Sequence, residues 1–153
     1  MEDLTFFDVN CRIGTPMCGG LDFAPDAGKL LEKLNYAGVE KAVVSHVNTA
    51  SGGAVLGNRF VSRAMREDRE QRFVGCWCIL PDCLQEEIPP GEELCKAMRS
   101  NRIGLVEICP FSHHWVPHRM AAGRQFDLLA EHKIVIKTSV QEIGGWNEFY
   151  RLV

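Results

Sequence analysis

Positive charge is scarce in this chain: 17 Lys and Arg stand against 20 Asp and Glu, for a formal net charge of −3. That leaves no basic footprint for nucleic acid. No apolar run approaches the ~20 residues that cross a bilayer, so no membrane partner is expected. The start, Met1-Glu2-Asp3, is acidic and lacks the basic n-region of a signal peptide. Cysteines number 7, an odd count for a disulfide framework, and a reduced, cytoplasmic protein is the simplest expectation. There is no G-x-S-x-G elbow, no G-x-G-x-x-G turn and no linker-like or low-complexity tract. What is present is an ordinary globular composition, 46% hydrophobic and 24% charged over 153 residues, enough for one domain with a sizeable core.

Apolar residues follow two alternating periods. Leu4 to Ile13 reads as a strand. Pro25-Asp26-Ala27 opens a helical pattern through Leu30, Leu31 and Leu34, with Gly38 as its stop. Lys41 to Val47 is a β-branched second strand, and Asn58 to Arg66 reads as a helix. Arg72 to Leu80 is a third strand, Glu92 to Met98 a short helix, and Ile103 to Cys109 a fourth strand. Phe126 to Glu131 is helical, Ile134 to Thr138 is a fifth strand, and Trp146, Phe149, Tyr150 and Leu152 form a last amphipathic pattern. Alternating strands and helices predict an α/β fold of βα units around a parallel sheet. An open doubly wound sheet and part of a (β/α)8 TIM barrel both fit that pattern.

The turns after the strands weigh between them. Gly14-Thr15-Pro16-Met17-Cys18-Gly19-Gly20 is not a dinucleotide fingerprint. Gly52-Gly53-Ala54-Val55-Leu56-Gly57-Asn58-Arg59 copies the glycine spacing of a P-loop but places Asn58 where its lysine belongs. The plainer reading is a flexible turn before a helix starting near Asn58. Cys76-x-Cys78 would put two sulfurs on one strand face, the start of a metal site, but no second pair of matching spacing follows.

Taken in order, several segments resemble the amidohydrolase-related TIM-barrel family. They are Phe6-Phe7-Asp8-Val9-Asn10-Cys11-Arg12-Ile13-Gly14, Ala37 to Val44, Gly57-Asn58-Arg59-Phe60, Arg72 to Pro81, Ile103 to Pro110 and Leu128 to Ile136. The resemblance covers nearly the whole chain but about five of eight barrel units. It implies a single domain over 1–153, the N-terminal part of a barrel ending within the helix after strand five. It also implies a zinc or other divalent metal site. That site would use two histidines after strand one, at times a lysine or carboxylate on strand four, histidines after strands five and six, and an aspartate after strand eight. Here Asn10 and Arg12 replace the first pair, Glu107 lies near the strand-four position and Ser139 takes the strand-five position. Metal ligands are therefore not assigned.

Several residues carry chemistry under one reading and packing under another. Asp8, Asn10 and Arg12 share strand parity and would face one interior. Arg12 would clamp a substrate carboxylate or phosphate, or form an ion pair with Asp8 or Glu107. His46 ends strand two, as a general base or as a hydrogen-bonded structural histidine. Glu107 and Lys137 interrupt apolar strands, as a neutralising salt bridge or as an acid/base couple. The loop Phe111 to His118 offers His113, His114 and His118, with Trp115 and Trp77 able to stack a planar ligand or simply to pack. A thiol nucleophile at Cys11 or Cys76 has nothing visible to activate it.

These readings predict catalysis by Arg12, His46, Glu107 and Lys137, with substrate held by Asn10, Arg12, His113, Trp115 and Ser139. The substrate would be a small carboxylate-bearing molecule, hydrolysed or decarboxylated as the resemblance implies. The alternatives are a metal-free binding or scaffold protein of the same fold, and an independent five-stranded nucleotide-binding domain. Strands one and five would be open edges, so self-association is expected.

Overall fold

The computed structural model describes residues 4–16, 24–51, 53–81 and 88–152. The turn expected after strand one lies outside them from Met17 onward, as does Gly52, and so do the side chains of Phe149 and Leu152.

Five strands form one parallel sheet: β1 (Phe6–Ile13), β2 (Val39–His46), β3 (Phe73–Cys78), β4 (Ile103–Glu107) and β5 (Val135–Lys137). Their order in space is their order in sequence, and the sheet curls into a half-barrel. No strand reverses the winding, so there is no topological switch point, and the doubly wound nucleotide-binding alternative falls. The helices α1 (Ala27–Ala37), α2 (Asn48–Ser51), α3 (Ala54–Glu67), α4 (Glu92–Ser100), α5 (Arg119–Glu131) and α6 (Trp146–Leu152) alternate with the strands. Right-handed crossovers between strands that always advance in one direction put the connecting helices on the outer face.

The outward strand residues Ala42, Val44, Phe73 and Val106 are buried with Leu34, Val61, Met65, Met98 and Leu129 in one core. Helix α1 begins where its sequence predicts: Asp26 accepts a hydrogen bond from the Lys29 amide at 2.8 Å, and Gly38 ends it at φ 68°. Helix α3 begins at Ala54, four residues before the expected start near Asn58. The glycine turn is thus shorter than read. Gly57 lies inside the helix, where a Cβ would come within 2.4 Å of Thr49 Cγ2. Its role is to let α2 pack against α3, not to cradle phosphate. Helix α5 begins at Arg119, seven residues ahead of expectation, capped by His118 Nδ1 and kinked at Ala122.

Strand β1 carries an irregularity that decides what faces the concave side. Asp8 pairs with Ala42 and Cys11 with Val44, so three steps along β1 match two along β2. One extra residue breaks the alternation, as in a β-bulge. Phe7, Val9, Asn10 and Arg12 all line the concave face, and Asp8 does not. The expectation that Asp8, Asn10 and Arg12 share a face therefore fails at the bulge. Asp8 instead accepts a hydrogen bond from the Asn10 amide at 2.8 Å.

At the opposite end of the sheet, Asp68 is buried and holds three segments together. Its carboxylate accepts from the backbone of Arg72 at 3.2 Å and Phe73 at 2.8 Å, and from Arg102 Nη2 at 3.0 Å. Asp68 thereby locks the end of α3 to the first residue of β3 and to the turn before β4. Asp68→Ala strands these donors, and it should lower unfolding free energy by about 2–3 kcal/mol. Urea denaturation measures this; a loss within the ordinary surface range of roughly 0.5 kcal/mol would contradict it.

Candidate functional site

The concave face holds a cavity of about 810 Å³ at the carboxyl side of the strands. Its walls are apolar strand residues such as Val9, Val43, Val74, Leu105 and Val135. Its polar groups are Asn10, Arg12, Glu107, Lys137, Ser139 and Glu142. An apolar concavity with a few convergent polar groups is the usual form of a small-molecule site.

Glu107 is 2% exposed and sits at the last position of β4. Thr49, on the short helix α2, presents its hydroxyl to Glu107 Oε1 and to the His46 carbonyl, the latter at 2.7 Å. A hydroxyl has one proton to give, so these two acceptors share one donor. Arg12 Nη2 approaches Glu107 Oε2 at 3.9 Å, an ion pair without a close hydrogen bond. Of the two partners considered for Arg12, the structure selects Glu107.

Lys137 is the register partner of Glu107 on β5. The expected Glu107–Lys137 salt bridge nevertheless does not form among the described residues. The Lys137 ammonium is buried and has no hydrogen-bond partner there. Lateral neighbours in a parallel sheet need not bring their side-chain tips together, and Glu107 is already engaged by Thr49 and Arg12. Glu142, which the sequence did not single out, accepts from Ser112 N at 3.0 Å and Ser112 Oγ at 2.6 Å, tying the loop after β4 to the turn after β5.

The other candidates lie away from this cavity. His46 is buried against Phe60, ring centroids 4.7 Å apart and 15° from parallel. Its Nδ1 accepts from the Asn48 amide at 3.1 Å, and burial holds its pKa below the ordinary value. These contacts are those of the hydrogen-bonded structural reading. His113 and Trp115 fold back toward the core after β4. Trp115 packs on the core cluster, and the His113 amide donates to Cys109 O at 2.9 Å. Neither lines the cavity, so the structure does not place them as its binding groups.

The thiols are not activated. Burial and a hydrogen bond to Asp8 push Cys11 up to about 12, and burial pushes Cys76 up as well. Both remain protonated near neutral pH, against a nucleophilic role. Cys78 lies beside Cys109 and Glu107, and the Cys109 contact together with burial raises its pKa. Asn58 fixes the position of Cys78: its amide donates to Cys78 O at 2.8 Å and accepts from Cys78 N at 2.7 Å. That clamp is the structural role of the residue standing in the P-loop lysine position.

Of the metal positions implied by the resemblance, Asn10, Arg12 and Ser139 offer no imidazole or carboxylate, and a cation held between them would face the Arg12 guanidinium. Glu107 alone of these positions offers a carboxylate. Among known proteins, no family model, characterised sequence or solved structure matches the chain.

The depressed pKa of His46 makes a pH prediction. The unfolded imidazole binds a proton near pH ~6.5, and the folded one resists it. The stabilisation is complete above that pH and is lost as pH falls toward the folded value. Urea midpoints should therefore decline from pH 7 to pH 5 more steeply in the wild type than in His46→Asn. Parallel declines would remove His46 as the source.

Proposed function

We propose that the concave face binds a small carboxylate-bearing molecule. The observation that carries this is the buried Lys137 ammonium, which lines the cavity and has no hydrogen-bond partner among the described residues, while the carboxylates of Glu107 and Glu142 already accept hydroxyl hydrogen bonds. A buried cation without partners is costly, and an anionic ligand group relieves that cost. Arg12 supplies a planar second contact on the facing strand, with Asn10 and Ser139 as neutral hydrogen-bonding groups at the rim.

The reaction proposed with this binding, on the resemblance to amidohydrolase-related barrels, is hydrolysis or decarboxylation of such a substrate, with Glu107 as the proton-carrying group. The second reading is a metal-free binding or scaffold protein of the same fold. It is favoured by the residues Asn10, Arg12 and Ser139 standing where that family places metal ligands. A cytoplasmic location belongs to the proposal and rests on the odd count of 7 cysteines. Among the described residues, no helix is long and apolar enough to cross a membrane.

Calorimetric titration with a panel of small mono- and dicarboxylates tests the binding. Arg12→Ala and Lys137→Met should each weaken the best ligand by about 10- to 100-fold, the range for a hydrogen bond to a charged group. Affinity unchanged in both variants would overturn the site. Turnover of a bound ligand separates the enzyme from the scaffold.

Self-association through the open edges is part of the same proposal. Phe6, Phe7 and Val9 of β1 are 57%, 52% and 60% exposed, and Val135 of β5 is also exposed. Unpaired strands with apolar side chains invite a second copy. Size-exclusion chromatography of this chain should show species larger than a monomer, in proportion to concentration. A monomer throughout would contradict it.

A further inference from the structure

Beneath the cavity, three donors of metal-binding type converge. Cys78 Sγ, Cys109 Sγ and a carboxylate oxygen of Glu107 lie within 4.8 Å of one another, and all three residues are buried. The sheet builds this arrangement. Glu107 is the register partner of Cys78 across β3 and β4, and Cys109 follows Glu107 by two residues on the same side. Asn58 holds the Cys78 backbone through both of its amide groups. Two thiolates on zinc at Zn–S bonds of about 2.3 Å stand roughly 3.8 Å apart in tetrahedral geometry. The donors therefore close on a cation with side-chain movements of about an ångström.

An imidazole lies beside them. His113 Nδ1 is 3.9 Å from Cys78 Sγ, while the ring stands outside the group of three donors that lie within 4.8 Å of one another. A thiol is a weak partner for imidazole, so this nitrogen makes only one poor contact. The His113 amide is anchored to Cys109 O at 2.9 Å, which keeps the loop beside the two sulfurs.

We infer that Cys78, Cys109 and Glu107, with His113 as fourth donor, form a binding site for one thiophilic divalent cation, zinc by donor type. Binding releases the two thiol protons to solvent. Two thiolates and one carboxylate on a dication leave one negative charge, and Arg12, 3.9 Å from Glu107 Oε2, offsets it. With His113 turned onto the cation, four protein donors leave no open position, and the role is then structural: the cation pins the ends of β3 and β4 to the loop that follows. Glu107 and Cys109 line the cavity and Cys78 and His113 do not. The inference rests on the convergence of these donors and not on the carboxylate-binding reading, and a cation held by Glu107 takes the place of its proposed proton-carrying role.

The test is titration of the reduced, metal-free chain with Co²⁺ alone, followed by displacement with Zn²⁺. The expected result is one saturable equivalent with sulfur-to-cobalt charge-transfer absorption, a tetrahedral visible spectrum and a higher Tm. Cys78→Ser and Cys109→Ser should each abolish the charge-transfer intensity of one thiolate and weaken binding by about 100-fold or more. His113→Ala should weaken it by about tenfold. Cys76→Ser, on the same strand two residues away, should bind as wild type. Circular dichroism checks that each variant folds, and the wild-type spectrum needs no variant. Absence of a charge-transfer band in folded wild type overturns the inference. So does binding that survives in Cys78→Ser and Cys109→Ser, or that is lost equally in Cys76→Ser.

Discussion

A carboxylate buried at the last position of β4 sets the terms for the whole mouth of this sheet. Burying Glu107 without partners would cost several kcal/mol. The chain meets that cost from two directions: a hydroxyl from α2 and a guanidinium from β1. Each contact constrains another element. Thr49 reaches Glu107 because α2 lies close on α3, which depends on the missing Cβ of Gly57. Arg12 reaches it because β1 changes its side-chain alternation just before the mouth. The cavity polarity is the sum of these separate accommodations.

Much of the fold is legible in the residue pattern, because strand and helix periods are local properties. Asp26 and Gly38 bracket α1 through their own chemistry, and Pro81 and Pro110 follow strands three and four as punctuation. The start of α3 is less legible. Two glycines look like an extended turn, yet Ala54 and Leu56 are good helix formers and the helix begins at once. The site is legible only in part for a related reason. Asn10, Arg12, Glu107, Lys137 and Ser139 fall on one cavity because strand ends converge in a half-barrel. His46, His113 and Trp115 do not, because their direction depends on loops and on packing. Cys78 and Cys109 lie 31 positions apart in the chain, and only the β3–β4 register brings them together.

The two halves of the molecule differ in what they ask of their charges. At the amino end of the strands, Asp68 has every oxygen engaged by backbone and by Arg102, an arrangement that fixes geometry and leaves nothing for a ligand. At the carboxyl end, Lys137 and an imidazole nitrogen have no hydrogen-bond partner among the described residues, and Arg12 is loosely engaged. The contrast between a satisfied base and an unsatisfied mouth follows the general division in parallel βα sheets between the stabilising face and the ligand face.

The extra residue in β1 works like a frameshift in side-chain direction. Upstream of it, odd-numbered positions look into the curve; downstream, even-numbered ones do. Arg12 therefore owes its place in the cavity to the number of residues before it as much as to its own identity. Were β1 to run straight through with all of its residues, the guanidinium would turn outward into the helix layer and Cys11 and Ile13 would come to the mouth. Deleting Val9 or Asn10 would instead remove the extra residue, restore plain alternation and leave Arg12 facing inward. The polarity of this face is thus written in the strand's irregularity as well as in composition.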